Sequence, residues 1–476
     1  MTAIYASPRI HRAVVLGGSL AGLLAARALA DHYAEVLVIE RDDIASAGDE
    51  PRRGVPQGTQ VHGLLSGGLS AVERLLPGCT AGLVARGASF GDVAARAAWW
   101  FPYGPLARAD ADLGSVVASR PLIEGEIRRR VTALPNVHVY GETDVAGIIA
   151  TPAGDRVTGV RVVDRAPGSP ATAVPADLVV DATGRGSRTP AWLADLGHAP
   201  PPEERLDLGI TYVSRTFGAR PGDPELNAYV VTLRPPDPHT GVLLRQEGDR
   251  WIITLAARLG QPAPVDLGDF RAFARRLPAP EIGAVAAGEP LGDPATFRFP
   301  TSRWRHYERC DSLPTGLVVI GDAVCSFDPT FGQGMSAAAL EAEVLQREIA
   351  AGCEGVERRV AAGVAGVASI PWTLATGTAR RLPGMPPKPL AERVLDRYLS
   401  RLVRVATDDE AVATAFMRVV NLVAKPPSLL APPVAARVLL HRSEGRGLGA
   451  PGPVVPVALP PAARADLPSR DERLAG

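Results

Sequence analysis

An excess charge of either sign is missing. The 476-residue chain carries 51 Lys+Arg and 51 Asp+Glu, a formal net charge of zero. Without surplus positive charge it has no general pull on nucleic acid or acidic membranes, so neither is expected as its main partner. Lysine is nearly absent: Lys388 and Lys425 stand alone among arginines, so an arginine count by itself says nothing. Cysteine is scarce. Cys79, Cys310, Cys325 and Cys353 are scattered with no C-x-x-C pair, which argues against a disulfide framework or a metal site and fits a reducing cytosol.

Long apolar runs are lacking too. None is read as reaching the ~20 residues of a bilayer crossing, so no transmembrane segment is expected. Met1 to Arg12 has no apolar secretion core, and a cytoplasmic protein is expected. No repeat of solenoid or propeller period occurs. With 46% hydrophobic and 21% charged residues the chain is globular, with length for roughly two to three domains.

What is present begins at Arg12. Residues 13–16 read as a buried strand, 17–22 as a glycine-rich turn, 21–31 as a helix and 35–40 as a second strand, a βαβ unit. A dinucleotide fingerprint places G-x-G-x-x-G at that turn: one glycine for the turn, one for approach to pyrophosphate, one for helix packing. Here the turn is Gly17-Gly18-Ser19-Leu20-Ala21-Gly22, with Ser19 in the middle position. A serine hydroxyl can donate to phosphate, and the helix N-terminus favours an anion. Glu40 ends the second strand where an acid binds a ribose hydroxyl. Two alternatives stay open. The turn is an ordinary glycine turn, or it is a hydrolase elbow, since Gly17 to Ala21 nearly spells G-x-S-x-G. An elbow follows several strands, however, and here about a dozen residues precede it.

Residues 42–66 read as a long loop, of the kind that is usually functional. Helices are expected near 66–76 and over 119–134, the latter with Leu122, Ile123, Ile127 and Val131 on one face. A second motif, Asp177 to Arg188, is a buried strand running into Asp181-Ala-Thr183-Gly184. Residues from about 205 to 300 alternate in polarity and predict an inserted antiparallel sheet. Within it Ile210, Tyr212, Phe217, Tyr229, Val231, Leu243 and Trp251 are expected to share a face, either as an apolar substrate roof or as packing against the first domain. A third motif is Gly321-Asp322-Ala323, then Pro329 and Gly332-Gln333-Gly334-Met335, which opens a helix over 334–351. It makes a second anion-facing helix N-terminus. Residues 390–423 are helical in pattern.

In this order the three motifs resemble the FAD-dependent monooxygenases of the aromatic-hydroxylase and squalene-epoxidase superfamily. The stretches Arg53 to Gln57, Val61-His62, Ser119-Arg120, Val179 to Ser187 and Gly321 to Val324 are similar to the epoxidases of polyether polyketide biosynthesis, of the lasalocid and monensin kind. The resemblance implies FAD, reduced by NAD(P)H directly or through a flavin reductase, and O2 as co-substrate. It implies epoxidation of an apolar polyketide-type alkene through a flavin C4a-hydroperoxide, as in antibiotic biosynthesis. Aromatic hydroxylation and reduction of polyprenyl double bonds remain as alternatives, with hydrolysis more remote. The tryptophan-rich halogenase signature is absent.

The resemblance also implies residue roles. Gly17, Ser19, Leu20, Ala21, Gly22, Glu40, Arg41, Arg120, Asp322, Pro329, Gly332, Gly334 and Met335 would hold FAD. Arg53, Gln57 and His62 would stand near the flavin, and no residue is expected to act covalently. The expected fold is α/β with an α+β insertion. A discontinuous Rossmann-like FAD domain with a parallel sheet takes 1–204 and 295–350. The antiparallel substrate sheet takes 205–294, C-terminal helices 351–450 and a flexible tail 451–476. Two departures stand out: Ser19 for glycine, and Gln60 where a His-x-His pair is common.

Overall fold

The computed structural model describes residues 11–44, 46–385 and 390–441. The expected tail, 451–476, lies outside the described residues. The opening βαβ unit forms as read: strands Arg12–Leu16 and Glu35–Ile39 pair in parallel across helix Leu20–Ala30. They belong to a five-stranded parallel sheet in the order Leu317–Val319, Leu178–Asp181, Arg12–Leu16, Glu35–Ile39, Val137–Tyr140. Such strands are apolar on both faces because helices cover both; Val14, Val15, Val38 and Val179 expose nothing. Helices Leu20–Ala30, Arg120–Thr132 and Gly334–Ala350 form part of that cover, and Leu122, Ile123, Ile127 and Val131 are all buried. The α/β class is as expected.

The second sheet has eight strands and is wider than 205–294. Strand Ala295–Arg305, expected in the first domain, pairs along Glu203–Gly218. Strand Ala97–Phe101, which carries Trp99 and Trp100, joins the other side by parallel pairing with Ala228–Val231, so the sheet is mixed. The chain returns to the buried style of the parallel sheet only at Leu317.

The faces of this sheet correct the substrate-roof reading. Phe217, Tyr229, Val231, Leu243 and Trp251 do share a face, but that face packs on helices Leu267–Arg276 and Pro280–Ala286 through Phe270, Phe273, Leu277 and Ile282. They are core, because an amphipathic helix pair unseen in the sequence supplies the covering layer. On the opposite face, Trp99, Val230, Leu244 and Ile252 meet Leu402, Val412, Phe416 and Val420 of the C-terminal helices Leu390–Val405 and Glu410–Val420. Ile210 and Tyr212 lie in a small separate cluster with Phe299 and Ala379.

One apolar run is longer than the sequence reading allows. Helix Val356–Ala379, 24 residues long, is apolar enough by length and composition to cross a membrane. Glu and Arg in its first turn hide the run in the sequence. Here Val360, Val364, Ala368 and Trp372 lie in the same core as helix Gly334–Ala350.

Candidate active site

The three motifs close into a ring. Gly17 has φ of 98°, and a Cβ on it would stand 2.6 Å from the Ala182 carbonyl oxygen. A Cβ on Gly22 would stand 1.8 Å from the Gly17 oxygen. Both positions therefore require glycine. Ser19, with φ of −87°, does not, which explains how serine takes the middle place. Ala182 belongs to the second motif. There buried Asp181 accepts from the Thr183 N–H at 2.9 Å, Thr183 Oγ1 at 2.6 Å, Ser187 Oγ at 2.5 Å and Thr189 Oγ1 at 2.6 Å. Asp181 is thus the knot of its own turn. That turn sets Gly184 where a Cβ would lie 3.9 Å from Asp322 Cβ, and a Cβ on Gly321 would lie 3.0 Å from Ala21 Cβ. Turns far apart in the chain meet at one place.

An ionic cluster flanks the fingerprint. Glu40 accepts from the Gly18 N–H at 2.7 Å and the Asp42 N–H at 3.0 Å. Arg52 donates to Asp42 at 3.0 Å, and to Glu124 Oε1 from Nε at 2.9 Å and from Nη2 at 2.7 Å. Glu124 Oε2 accepts from Arg120 at 3.0 Å and from Ser19 Oγ at 2.9 Å, while Arg120 also donates to Ser19 Oγ at 2.9 Å. Burial opposes ionisation of Glu124, but Arg120 and Arg52 outweigh it and hold its carboxyl below the usual range. Ser19 is therefore bonded to a carboxylate and a guanidinium, with no histidine on its hydroxyl. This removes the hydrolase reading, whose nucleophile needs a base.

Sequence reading placed Glu40 and Arg120 here and missed Arg52, Asp42 and Glu124. Arg53 and Arg41 are exposed, and Arg52 takes the buried place. The signal available was weak: two adjacent arginines in a functional loop, with nothing to say which turns inward. Gln57 is half-buried in the short turn Pro56–Thr59.

Asp322 is solvent-accessible although protein crowds around it. Burial raises its pKa against the pull of Arg185 and Arg120. Its carboxylate has no hydrogen-bond partner among the described residues. Beneath it Glu341, fully enclosed, accepts from the Gly321 N–H at 2.5 Å; burial pushes its pKa up to about 8. Beyond Pro329 the chain turns at Gly332, φ 66°, into helix Gly334–Ala350, with Met335 buried in the core. Its first turn holds no acid and no side-chain cap, so its N–H groups remain available. Gln333 Nε2 donates to the Val420 carbonyl at 2.8 Å, and Ser336 Oγ accepts from the Leu65 N–H at 3.0 Å. The C-terminal helices thus hold this turn in place.

A fully buried ion pair ties the mixed sheet to the same turn. Arg258, at the end of strand Arg250–Ala257, donates to Asp328 at 2.8 Å and also meets Thr330. Nothing in the sequence singles out Arg258. A surface depression of about 560 Å³ bounded by Arg220, Asp223, Pro280 and Glu281 shares no residue with the ring.

These groups fit FAD. An accessible carboxylate with no hydrogen-bond partner among the described residues, two uncapped helix N-termini and open space above Gly186, Gly332 and Gly334 suit a ligand with hydroxyls and a diphosphate. The architecture is that of the FAD-binding monooxygenase fold. Among solved structures, a flavin-dependent brominase, Bmp2, matches with a TM-score of 0.61 and 16% identity over 86% of this chain and 94% of its own. The p-nitrophenol 4-monooxygenase PnpA of Pseudomonas putida DLL-E4 matches with a TM-score of 0.60 and 18% identity over 87% of this chain and 98% of its own. The chain belongs to the family of Protein Rv3254 of Mycobacterium tuberculosis (strain ATCC 25618 / H37Rv): the two are 36% identical over 364 residues, 74% of this chain and 75% of that protein. A kynurenine 3-monooxygenase of Salinispora arenicola (strain CNS-205) is 26% identical over 71% of this chain and 72% of its own. No protein-family model matches the chain.

Proposed function

We propose that this protein is an FAD-dependent monooxygenase that places one atom of O2 in a small organic substrate, with NAD(P)H as electron donor, directly or through a reductase. The observation that carries the reading is the ring: the turns at Gly17, Ala182 and Asp322 meet around one accessible, unpartnered carboxylate. Glu40 would hold the adenosine ribose, and Ser19 and Arg120 would meet the diphosphate. Asp322 would take the ribityl side, and Gly332 to Met335 would offer helix N–H groups to the flavin. The bound flavin supplies the redox and oxygen chemistry. The chain binds and orients it, and the sheet with the C-terminal helices covers the cleft against water.

Alkene epoxidation in a polyketide-type product is the finer reading. It rests on the likeness of the Arg53 to His62 and Ser119-Arg120 stretches. It also rests on His62, whose pKa burial and the nearby Arg120 hold down to about 3. Phenol hydroxylation gains from a base near neutrality, and this histidine is not one; positioning suffices for an alkene. Aromatic hydroxylation is the second reading, favoured by the likeness to the kynurenine enzyme. A cytoplasmic setting suits the buried, unpaired Cys79, Cys310 and Cys325.

Turnover under ¹⁸O2 with NAD(P)H and paired polyene and phenol substrates tests this. One labelled atom in an epoxide supports epoxidation, and label in a phenol supports the second reading. A saturated product formed without oxygen overturns both in favour of a reductase.

A further inference from the structure

The mixed sheet grips the Gln60–Val61 peptide at both ends. The Val61 N–H donates to Thr254 Oγ1 at 3.2 Å. Thr254 Oγ1 meets Ser214 Oγ, its direct partner across neighbouring strands. Ser214 Oγ donates to Gln60 Oε1 at 2.6 Å. An amide oxygen only accepts, so each proton has one place: Val61 to Thr254, Thr254 to Ser214, Ser214 to Gln60. All three side chains are buried. The chain fixes the Gln60 carbonyl, which lies 3.0 Å from His62 Nδ1. A carbonyl also only accepts, so Nδ1 carries the ring proton and Nε2 keeps a bare lone pair. Burial and the nearby Arg120 disfavour a second proton on the ring, so His62 stands as a neutral acceptor at Nε2.

His62 Nε2 has no hydrogen-bond partner among the described residues, and the ring keeps accessible surface although protein encloses it. It faces the cleft. The Arg120 guanidinium that influences it also bonds Ser19 at the fingerprint turn. Phosphate oxygens are acceptors themselves and cannot satisfy a second acceptor. The ligand group that suits Nε2 is a donor, a hydroxyl or an N–H. Resting on the FAD reading above, we propose that His62 Nε2 accepts a hydrogen bond from a hydroxyl or N–H donor of the bound cofactor, with Gln60, Ser214 and Thr254 as its positioning residues.

Long-range ¹H–¹⁵N spectra of ¹⁵N-histidine-labelled apoprotein test this, with the His62 signals assigned by their loss in His62→Gln. The expected spectrum has a protonated Nδ1 and a bare Nε2, unchanged from pH 8 to 5, and Nε2 moves upfield when FAD is added. His62→Phe is expected to bind FAD about tenfold more weakly, the loss of one hydrogen bond. Ser214→Ala combined with Thr254→Val is expected to erase the single-tautomer signature. If FAD binds, by flavin fluorescence quenching, and Nε2 stays where it was, this inference is wrong while the FAD reading stands. If FAD does not bind at all, the FAD reading falls and takes this inference with it.

Discussion

Ser19 Oγ lies 2.9 Å from Glu124 Oε2, a contact between residues 105 apart in sequence. It turns the one irregular position of the glycine fingerprint into part of an ionic cluster. Ser19 can be replaced by glycine without strain, because its backbone lies in an ordinary extended region. Ser19→Gly is expected to bind FAD within about 1 kcal/mol of wild type, because Arg120 and Glu124 stay paired without the hydroxyl and glycine is the usual residue of the fingerprint there. Equilibrium titration of apoprotein with FAD measures it. A complete loss of binding would show that the hydroxyl itself holds the cofactor.

Glu124 joins both arginines, so removing its charge leaves two buried guanidinium groups short of a partner. Breaking such a pair costs about 3–5 kcal/mol. Glu124→Gln is expected to lose stability in that range by urea unfolding at pH 7. The pH dependence follows from the sign of its shift. Its folded pKa is depressed, so the stabilisation is full above the unfolded value of ~4.3 and drains as pH falls through the folded value. Wild type should therefore lose part of its advantage over Glu124→Gln below about pH 4.

Glu341 has the opposite sign. Its folded pKa is raised to about 8, so the native state keeps a proton that the unfolded chain releases. Its presence lowers stability progressively as pH rises from ~4.3 toward 8, and the effect levels off above that. Glu341→Gln copies the protonated carboxyl and can still accept the Gly321 N–H. Its Tm is expected to match wild type near pH 5 and to exceed it at pH 8, by thermal unfolding of apoprotein. Equal pH slopes for the two proteins would mean Glu341 is ionised throughout.

Local structure is legible in this sequence where one segment carries its own pattern. The strand, glycine turn, helix and strand of residues 12–40 can be read directly. Period and turn chemistry act within a few residues, and Gly17 and Gly22 are demanded by contacts of the turn itself and its neighbour strand. The cluster is less legible, because Arg52 meets Glu124 across 72 residues and no spacing rule links them. The same holds for Arg258 and Asp328, 70 apart. In the sheet, alternation groups Phe217 with Trp251 correctly on one face, but it cannot say which layer covers that face. Two amphipathic helices claim it, while the opposite face meets the C-terminal helices and, at Ser214 and Thr254, the Gln60–Val61 segment. Helix Val356–Ala379 escapes notice because charged residues open it.

Asp322 is expected to be the cofactor-binding residue most exposed to test. Asp322→Ala removes an accessible carboxylate with no hydrogen-bond partner among the described residues, so it should fold normally. FAD affinity should fall by tenfold or more, the value of a hydrogen bond to a charged group. Unchanged affinity would remove Asp322 from the site.

The cofactor content of the purified protein tests the FAD assignment most directly. The released chromophore should be noncovalent FAD at one per chain, with a flavin absorbance spectrum that NAD(P)H, or a reductase with it, bleaches and air restores. A colourless protein that takes up no FAD on titration would contradict it.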